Sequence, residues 1–157
     1  MGIPTSRVAP WANDYIGIPY ADHGRDRSGL NCWGLVHLIG RERLGMKLPE
    51  LEGVTWRTAR RTKNWPGFLT QGKERGWRTL WEKTSDNDRP PRGLKVEIGD
   101  GILLRGRKGI VNHCGLVVGA PWFIHAVDEI ETSLARFDTD PWKWGVAGFY
   151  RWEGARC

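Results

Sequence analysis

The chain has 157 residues, 39% apolar and 27% charged, a composition that excludes a disordered or fibrous chain and fits one packed domain over residues 1–157. No segment approaches the ~20 apolar residues of a membrane span, and the first residues carry no secretory leader, so soluble synthesis in the cytoplasm is expected. The net charge is +6, and residues 55–83, with eight basic and two acidic side chains, hold a surplus equal to all of it. Such a segment suits a polyanionic partner or a solvated face. No nucleic-acid reader motif accompanies it, so nucleic acid is not an expected partner.

Residues 10–30 are rich in Gly, Pro and Asp and predict a short helical turn at 11–16, then a loop. A helix follows over 31–44. Asn31 is a favourable N-cap, Cys32, Leu35, Val36 and Ile39 fall at helical spacing, and Gly45 is a stop. Residues 50–93 form a basic, Trp-containing insertion, with a short helix expected at 68–75, a strand at 77–81 and a turn-rich linker at 86–93. Strands are then expected at 101–105, 113–118, 122–127, 130–137 and 146–152. A helix followed by an antiparallel meander predicts an α+β domain.

Chemistry gathers at three of these elements. A cysteine in the first turn of a helix meets the positive end of the macrodipole, which favours the thiolate of Cys32. The same end can receive a developing oxyanion. A thiolate nucleophile needs a base. His113 and His125 lie on successive strands at positions of equal parity. A three-residue turn at 118–120 would set them directly opposite, with Cβ atoms ~5 Å apart, so that His125 can orient His113. A zinc site from Cys32, His113, Cys114 and His125 is disfavoured, because Cys114 follows His113 and should point to the other face of the strand, into the core. The three cysteines, 32, 114 and 157, fit no disulfide framework, which favours a reducing compartment. His23, His37 and Cys157 receive no role.

The same residues resemble the NlpC-type family of cell-wall cysteine peptidases, a branch of the papain-like fold. Gly17-Ile18-Pro19-Tyr20 is similar to the family's G-x-P-Y entry. Leu30-Asn31-Cys32-Trp33-Gly34-Leu35-Val36 resembles D-C-S-G-L-V, and Asn112-His113-Cys114-Gly115-Leu116-Val117-Val118-Gly119 resembles H-V-G-I-Y-V-G. Gly99-Asp100-Gly101 and Phe123-Ile124-His125-Ala126 match the intervening strands. The resemblance implies an N-terminal helix packed on an antiparallel sheet, and metal-free cleavage of an amide beside γ-D-glutamyl in the peptidoglycan stem peptide, with no cofactor. It assigns Cys32 to attack, His113 to proton transfer and His125 to orientation. Tyr20 and the Cys32 N–H become oxyanion donors, while Asn31 and Trp33, which replace the motif's Asp and Ser, become substrate-side positions. Cys-Trp-Gly-Leu-Val and a long helix-to-sheet segment are similar to phage tail-associated members. They imply a tail-tip peptidase made in the host cytoplasm, assembled into the virion, and partnered by other tail-tip or hub proteins. The expected alternatives are a tail component with a vestigial site and a papain-like peptidoglycan amidase.

Overall fold

The computed structural model describes residues 8–48, 76–105, 111–127 and 130–157. The expected helix at 68–75 and most of the basic insertion lie outside the described residues. The first helical turn is a 3-10 turn, Pro10–Tyr15, opened by a proline where the missing N–H costs nothing. The loop after it contains a hairpin that the sequence pattern did not predict, β1 (Arg25–Asp26) against β2 (Gly29–Leu30). Helix α1 spans Cys32–Arg43, capped by Asn31 and closed before Gly45, whose φ of +63° suits glycine. Arg41 and Arg43 sit in its last turn, where they complement the dipole.

Six strands form one antiparallel sheet: β3 (Trp77–Glu82), β4 (Gly101–Arg105), β5 (Val111–Gly119), β6 (Trp122–His125), β7 (Ser133–Arg136) and β8 (Val146–Trp152). The expected meander holds for β4 to β7 only. β8 returns to lie between β3 and β4, giving the order β3-β8-β4-β5-β6-β7. Six of the seven residues of β8 are buried, a run too apolar for an edge, whereas β3 and β7 are largely half-buried or exposed and serve as edges. β7 is also shorter than the 130–137 expected.

Alternation along the strands gives the sheet two apolar faces. Leu103, Cys114, Leu116 and Val118 point toward α1 and meet Leu35, Val36 and Ile39. Ile102, Leu104, Val117, Phe123 and Phe149 form the other face, covered by Trp81, Phe137 and Trp142. Trp77 is buried and stacks edge-on against Trp152 with centroids 5.3 Å apart, so this tryptophan of the basic segment belongs to the core.

Two irregularities of β5 decide where its histidine lands. Against β4 the register runs Leu104↔His113 and then Arg105↔Val111, so β5 carries one extra residue beside His113. Such a bulge adds local twist and re-aims the adjoining side chain. Against β6 the pairs are Leu116↔Ile124 and Val117↔Phe123, then Gly119↔Trp122. The turn is therefore not the three-residue one expected. Continuing that ladder sets His125 across from Gly115, and His113 lies two residues further along the same face.

Candidate active site

The site begins at the N-terminus of α1. Asn31 is extended, with φ of −90° and ψ of 178°, and its Oδ1 accepts from the Gly34 N–H at 2.7 Å. This cap leaves the Cys32 N–H outside the helical ladder. The Asn31 side chain is fully engaged in the fold. Oδ1 also accepts from Arg25 Nη1 at 2.8 Å, and Nδ2 donates to the Asp22 carbonyl at 2.9 Å. Arg25 further donates to the Gly24 carbonyl, and no acidic residue occupies the helix's first turn. The Cys32 end of α1 is therefore electropositive. The β1–β2 hairpin packs so closely on this turn that a Cβ at position 34 would lie 2.1 Å from the Gly24 carbonyl oxygen.

The two histidines meet from β5 and β6. His113 Nε2 lies 2.8 Å from His125 Nδ1, and both rings are buried. The contact is diagonal rather than directly cross-strand, and two features permit it. Gly115 stands opposite His125, where any side chain would crowd the His125 Cβ and the Ile124 carbonyl. The bulge beside His113 adds local twist there. Trp142, from the β7–β8 connection, closes the outer side, with centroids 5.8 Å from His113 and 4.8 Å from His125. Phe123 packs edge-on to His125 at 4.8 Å. Burial, reinforced by repulsion from His113, pushes the His125 imidazole down to about 3, so it is neutral at ordinary pH.

Cys32 is buried and its thiol is held well below the ordinary range. The largest cause is a hydrogen bond from the Cys114 thiol, which outweighs burial, and His113 adds a hydrogen bond and charge attraction. Cys114 moves the opposite way: the negative sulfur beside it and its own burial hold its proton on. Within the pair, charge is thus favoured on Cys32 and the proton on Cys114. Cys114 faces the core as expected. Cys114, from the helix-facing side of β5, and His113 both act on the Cys32 thiol. Among the described residues, no group of three or more His, Cys, Asp or Glu side chains is disposed to hold a metal ion.

The other predicted positions fall as follows. Tyr20 runs beside Leu30 as an isolated parallel bridge, fixed by Leu30 N–H to the Pro19 carbonyl and Ala21 N–H to the Leu30 carbonyl, two residues before Cys32. Trp33, expected on the substrate side, points inward. It is 4% exposed and, with Val36, Trp77, Leu103, Cys114 and Tyr150, lines a cavity of about 20 Å³ between helix and sheet. Position 33 faces the sheet, so the ring fills the core. Asn31 is likewise a cap rather than a substrate-side group. Cys157 is exposed, its sulfur 3.9 Å from the Met46 carbonyl. Three contributors escaped the sequence pattern: Cys114, Arg25 and Trp142. Only Cys114, adjoining a motif histidine, carried any signal.

A helix presenting Cys32 to an antiparallel sheet that carries His113 and His125 defines a papain-like α+β fold. The profile of the NlpC/P60 family matches residues 17–151, and the chain belongs to that family of cysteine peptidases and peptidoglycan hydrolases. It is 26% identical over 148 residues to the gamma-DL-glutamyl hydrolase of Bacillus subtilis (strain 168), covering 93% of this chain but 29% of that one. It therefore spans less than a third of the curated relative. Its fold is similar to an NlpC/P60 family protein from Bacillus cereus ATCC 10987, with TM-score 0.56 and 20% identity over 89% of this chain and 37% of that one. A Staphylococcus aureus Mu50 protein of the NLP/P60 family, similar to lipoprotein, gives TM-score 0.57 and 17% identity over 98% and 46%.

Proposed function

We propose that this protein is a cysteine endopeptidase that cuts the amide beside γ-D-glutamyl in peptidoglycan stem peptides, acting at the tip of a phage tail during cell-wall penetration. The contact that carries the enzymatic reading is the 2.8 Å bond between His113 Nε2 and His125 Nδ1, beside a thiolate at Cys32. Because His125 is neutral, its Nδ1 lone pair accepts, and His113 donates Nε2–H to it. The remaining nitrogen of His113, Nδ1, is then the one that serves Cys32. His125 is the positioning residue and His113 the proton carrier.

The Cys32 thiolate adds to the substrate carbonyl carbon, and the oxyanion is met by the Cys32 N–H and the Tyr20 hydroxyl. His113 passes its proton to the departing amine, leaving a thioester on Cys32. His113 then takes a proton from water, which attacks the thioester and frees the carboxylate. The γ-D-glutamyl preference is supported by the relative named gamma-DL-glutamyl hydrolase. The tail assignment is supported by the Cys-Trp-Gly-Leu-Val motif and the long segment between α1 and β4.

Digestion of purified peptidoglycan, followed by mass analysis, tests the reaction. New γ-D-glutamyl termini, absent with Cys32→Ala, are expected. Intact stem peptides released from muramic acid would make it an amidase. An uncut wall, with Cys32→Ala retaining the parent's biological activity, would reduce it to a tail component. Proteomics of purified virions should find the chain in tail fractions.

A further inference from the structure

The segment from Tyr15 to Tyr20 belongs to no regular strand, yet two anchors hold it. On one side the Pro19 carbonyl accepts from the Leu30 N–H at 2.9 Å, and the Leu30 carbonyl accepts from the Ala21 N–H at 3.2 Å, two residues before Cys32. On the other side residues 15–18 are gripped by a single residue, Thr132, which is fully buried. The Ile18 N–H donates to Thr132 Oγ1 at 2.8 Å, and that hydroxyl donates in turn to the Tyr15 carbonyl. The Thr132 backbone closes the grip. Its carbonyl accepts from the Gly17 N–H and its own N–H donates to the Ile18 carbonyl, both at 2.9 Å. Gly17, with φ of +83°, turns the chain so that the successive amides of 17 and 18 both reach Thr132.

Thr132 directly precedes Ser133, the cross-strand partner of His125. A bonded path therefore runs from His125 across the β6–β7 ladder to Ser133, from Thr132 to Ile18, from Pro19 to Leu30, and through Asn31 to Cys32. The hydroxyl matters to that path. Without it the Ile18 N–H and the Tyr15 carbonyl, both on buried residues, lose the partner shown for them.

We infer that Thr132 is a positioning residue of the active site, whose clamp on residues 15–18 sets Cys32 in register with the histidine pair. This role rests on the reading of Cys32 as the reacting thiol. Thr132 acts through the Pro19–Leu30 bond on one side and the Ser133–His125 pairing on the other. His113 acts on the Cys32 thiol by hydrogen bonding and charge attraction, and both fall with distance. Loosening the clamp thus raises the pKa of that thiol, whereas loosening the fold elsewhere does not.

The test follows alkylation of Cys32 against pH in the full chain, read as the mass of the peptide holding position 32. The parent is compared with Thr132→Val, Thr132→Ser and Arg151→Ala. Valine keeps the shape and removes the hydroxyl, and serine keeps the hydroxyl. Arg151→Ala weakens the hold on Asp100 and leaves residues 15–18 and 132 alone. At a temperature where circular dichroism shows every variant folded, Thr132→Val should raise the midpoint by about one pH unit, the size of effect a neighbouring charge gives. Thr132→Ser and Arg151→Ala should keep the parent midpoint, whatever their melting temperatures. An unmoved midpoint in Thr132→Val, a shift in Thr132→Ser, or an equal shift in Arg151→Ala overturns the inference. Should valine fail to fold, amide hydrogen exchange in the parent decides. Gly17, Ile18, Leu30 and Thr132 should open together, with protection within about threefold of one another. A Leu30 amide about tenfold better protected than Gly17 and Ile18 would mean that the segment is held without the clamp. Uncut peptidoglycan with a low parent midpoint refutes only the substrate. A parent midpoint at the ~8.5 of a free thiol refutes the reading of Cys32, and the role of Thr132 falls with it. A low parent midpoint that Thr132→Val leaves in place refutes the clamp alone.

Discussion

Protons at this site are shared unequally among four side chains, and the imbalance can be titrated. Cys114 supplies the largest push on the Cys32 thiol, ahead of His113. Alkylation of Cys32 followed against pH should therefore have a midpoint below the ~8.5 of a free thiol. Cys114→Val should raise that midpoint at least as far as His113→Ala. A larger effect of the histidine would reverse the order of causes. His125 has a different signature. Its folded pKa, about 3, lies below the ordinary 6.5. Above pH 6.5 neither state binds its proton. As pH falls from 6.5 toward 3 the unfolded chain takes up a proton that the folded one refuses, so stability is lost through that window. Between pH 6 and 4.5 the loss should be about 2 kcal/mol by urea unfolding, and His125→Gln should flatten the slope. Trp142, tilted over His113 and edge-on to His125, acts through them. Trp142→Ala should broaden and shift the acid limb of the alkylation profile, while Trp142→Phe restores it.

At the level of single elements, the first turn of α1 is held from outside. The Gly24 carbonyl occupies the space that a side chain at 34 would need, so Gly34→Ala must push the hairpin off the helix or tilt the helix itself. A melting temperature lowered by about 5–10 °C, with weakened Cys32 alkylation, is expected for an overpacking cost of about 1–3 kcal/mol. Asn31→Ala removes the cap and leaves Arg25 facing a void, at a cost of about 1–2 kcal/mol. These elements also show what a sequence can disclose. Helix α1, its cap and its glycine stop were legible because cap chemistry and 3.6-residue periodicity are local. The shared face of His113 and His125 was legible from parity. Their diagonal offset was not, because a bulge at Asn112–His113 and the shape of the 117–122 turn depend on pairing with β4 and β6. β1 and β2, two residues each, are too short to carry any period. That Asn31 and Trp33 are buried was not legible, because a motif shows which residue is replaced but not which way it points.

For the whole molecule, the fold class was readable from element order, while the position of β8 was not, since sheet order is set by non-local contacts. One polar link fastens that strand in place. Arg151 donates through Nε and Nη2 to both oxygens of the buried Asp100, at 2.9 and 2.8 Å, and Asp100 also accepts from the Glu97 N–H at 2.7 Å. Arg151→Ala strands that carboxylate, and urea unfolding should register about 3 kcal/mol of lost stability. A fall below about 1 kcal/mol would mean that water replaces the guanidinium without penalty.

The interior seat of β8 also governs how the chain comes off the ribosome. Synthesis runs from α1 toward β8, and β4 has no partner on one side until residues 146–152 emerge. A nascent chain stalled before them presents an open row of amides and carbonyls next to an apolar face, a template for pairing with another copy. The thiol and its histidines are all translated by then, yet the sheet that supports them is missing an interior strand.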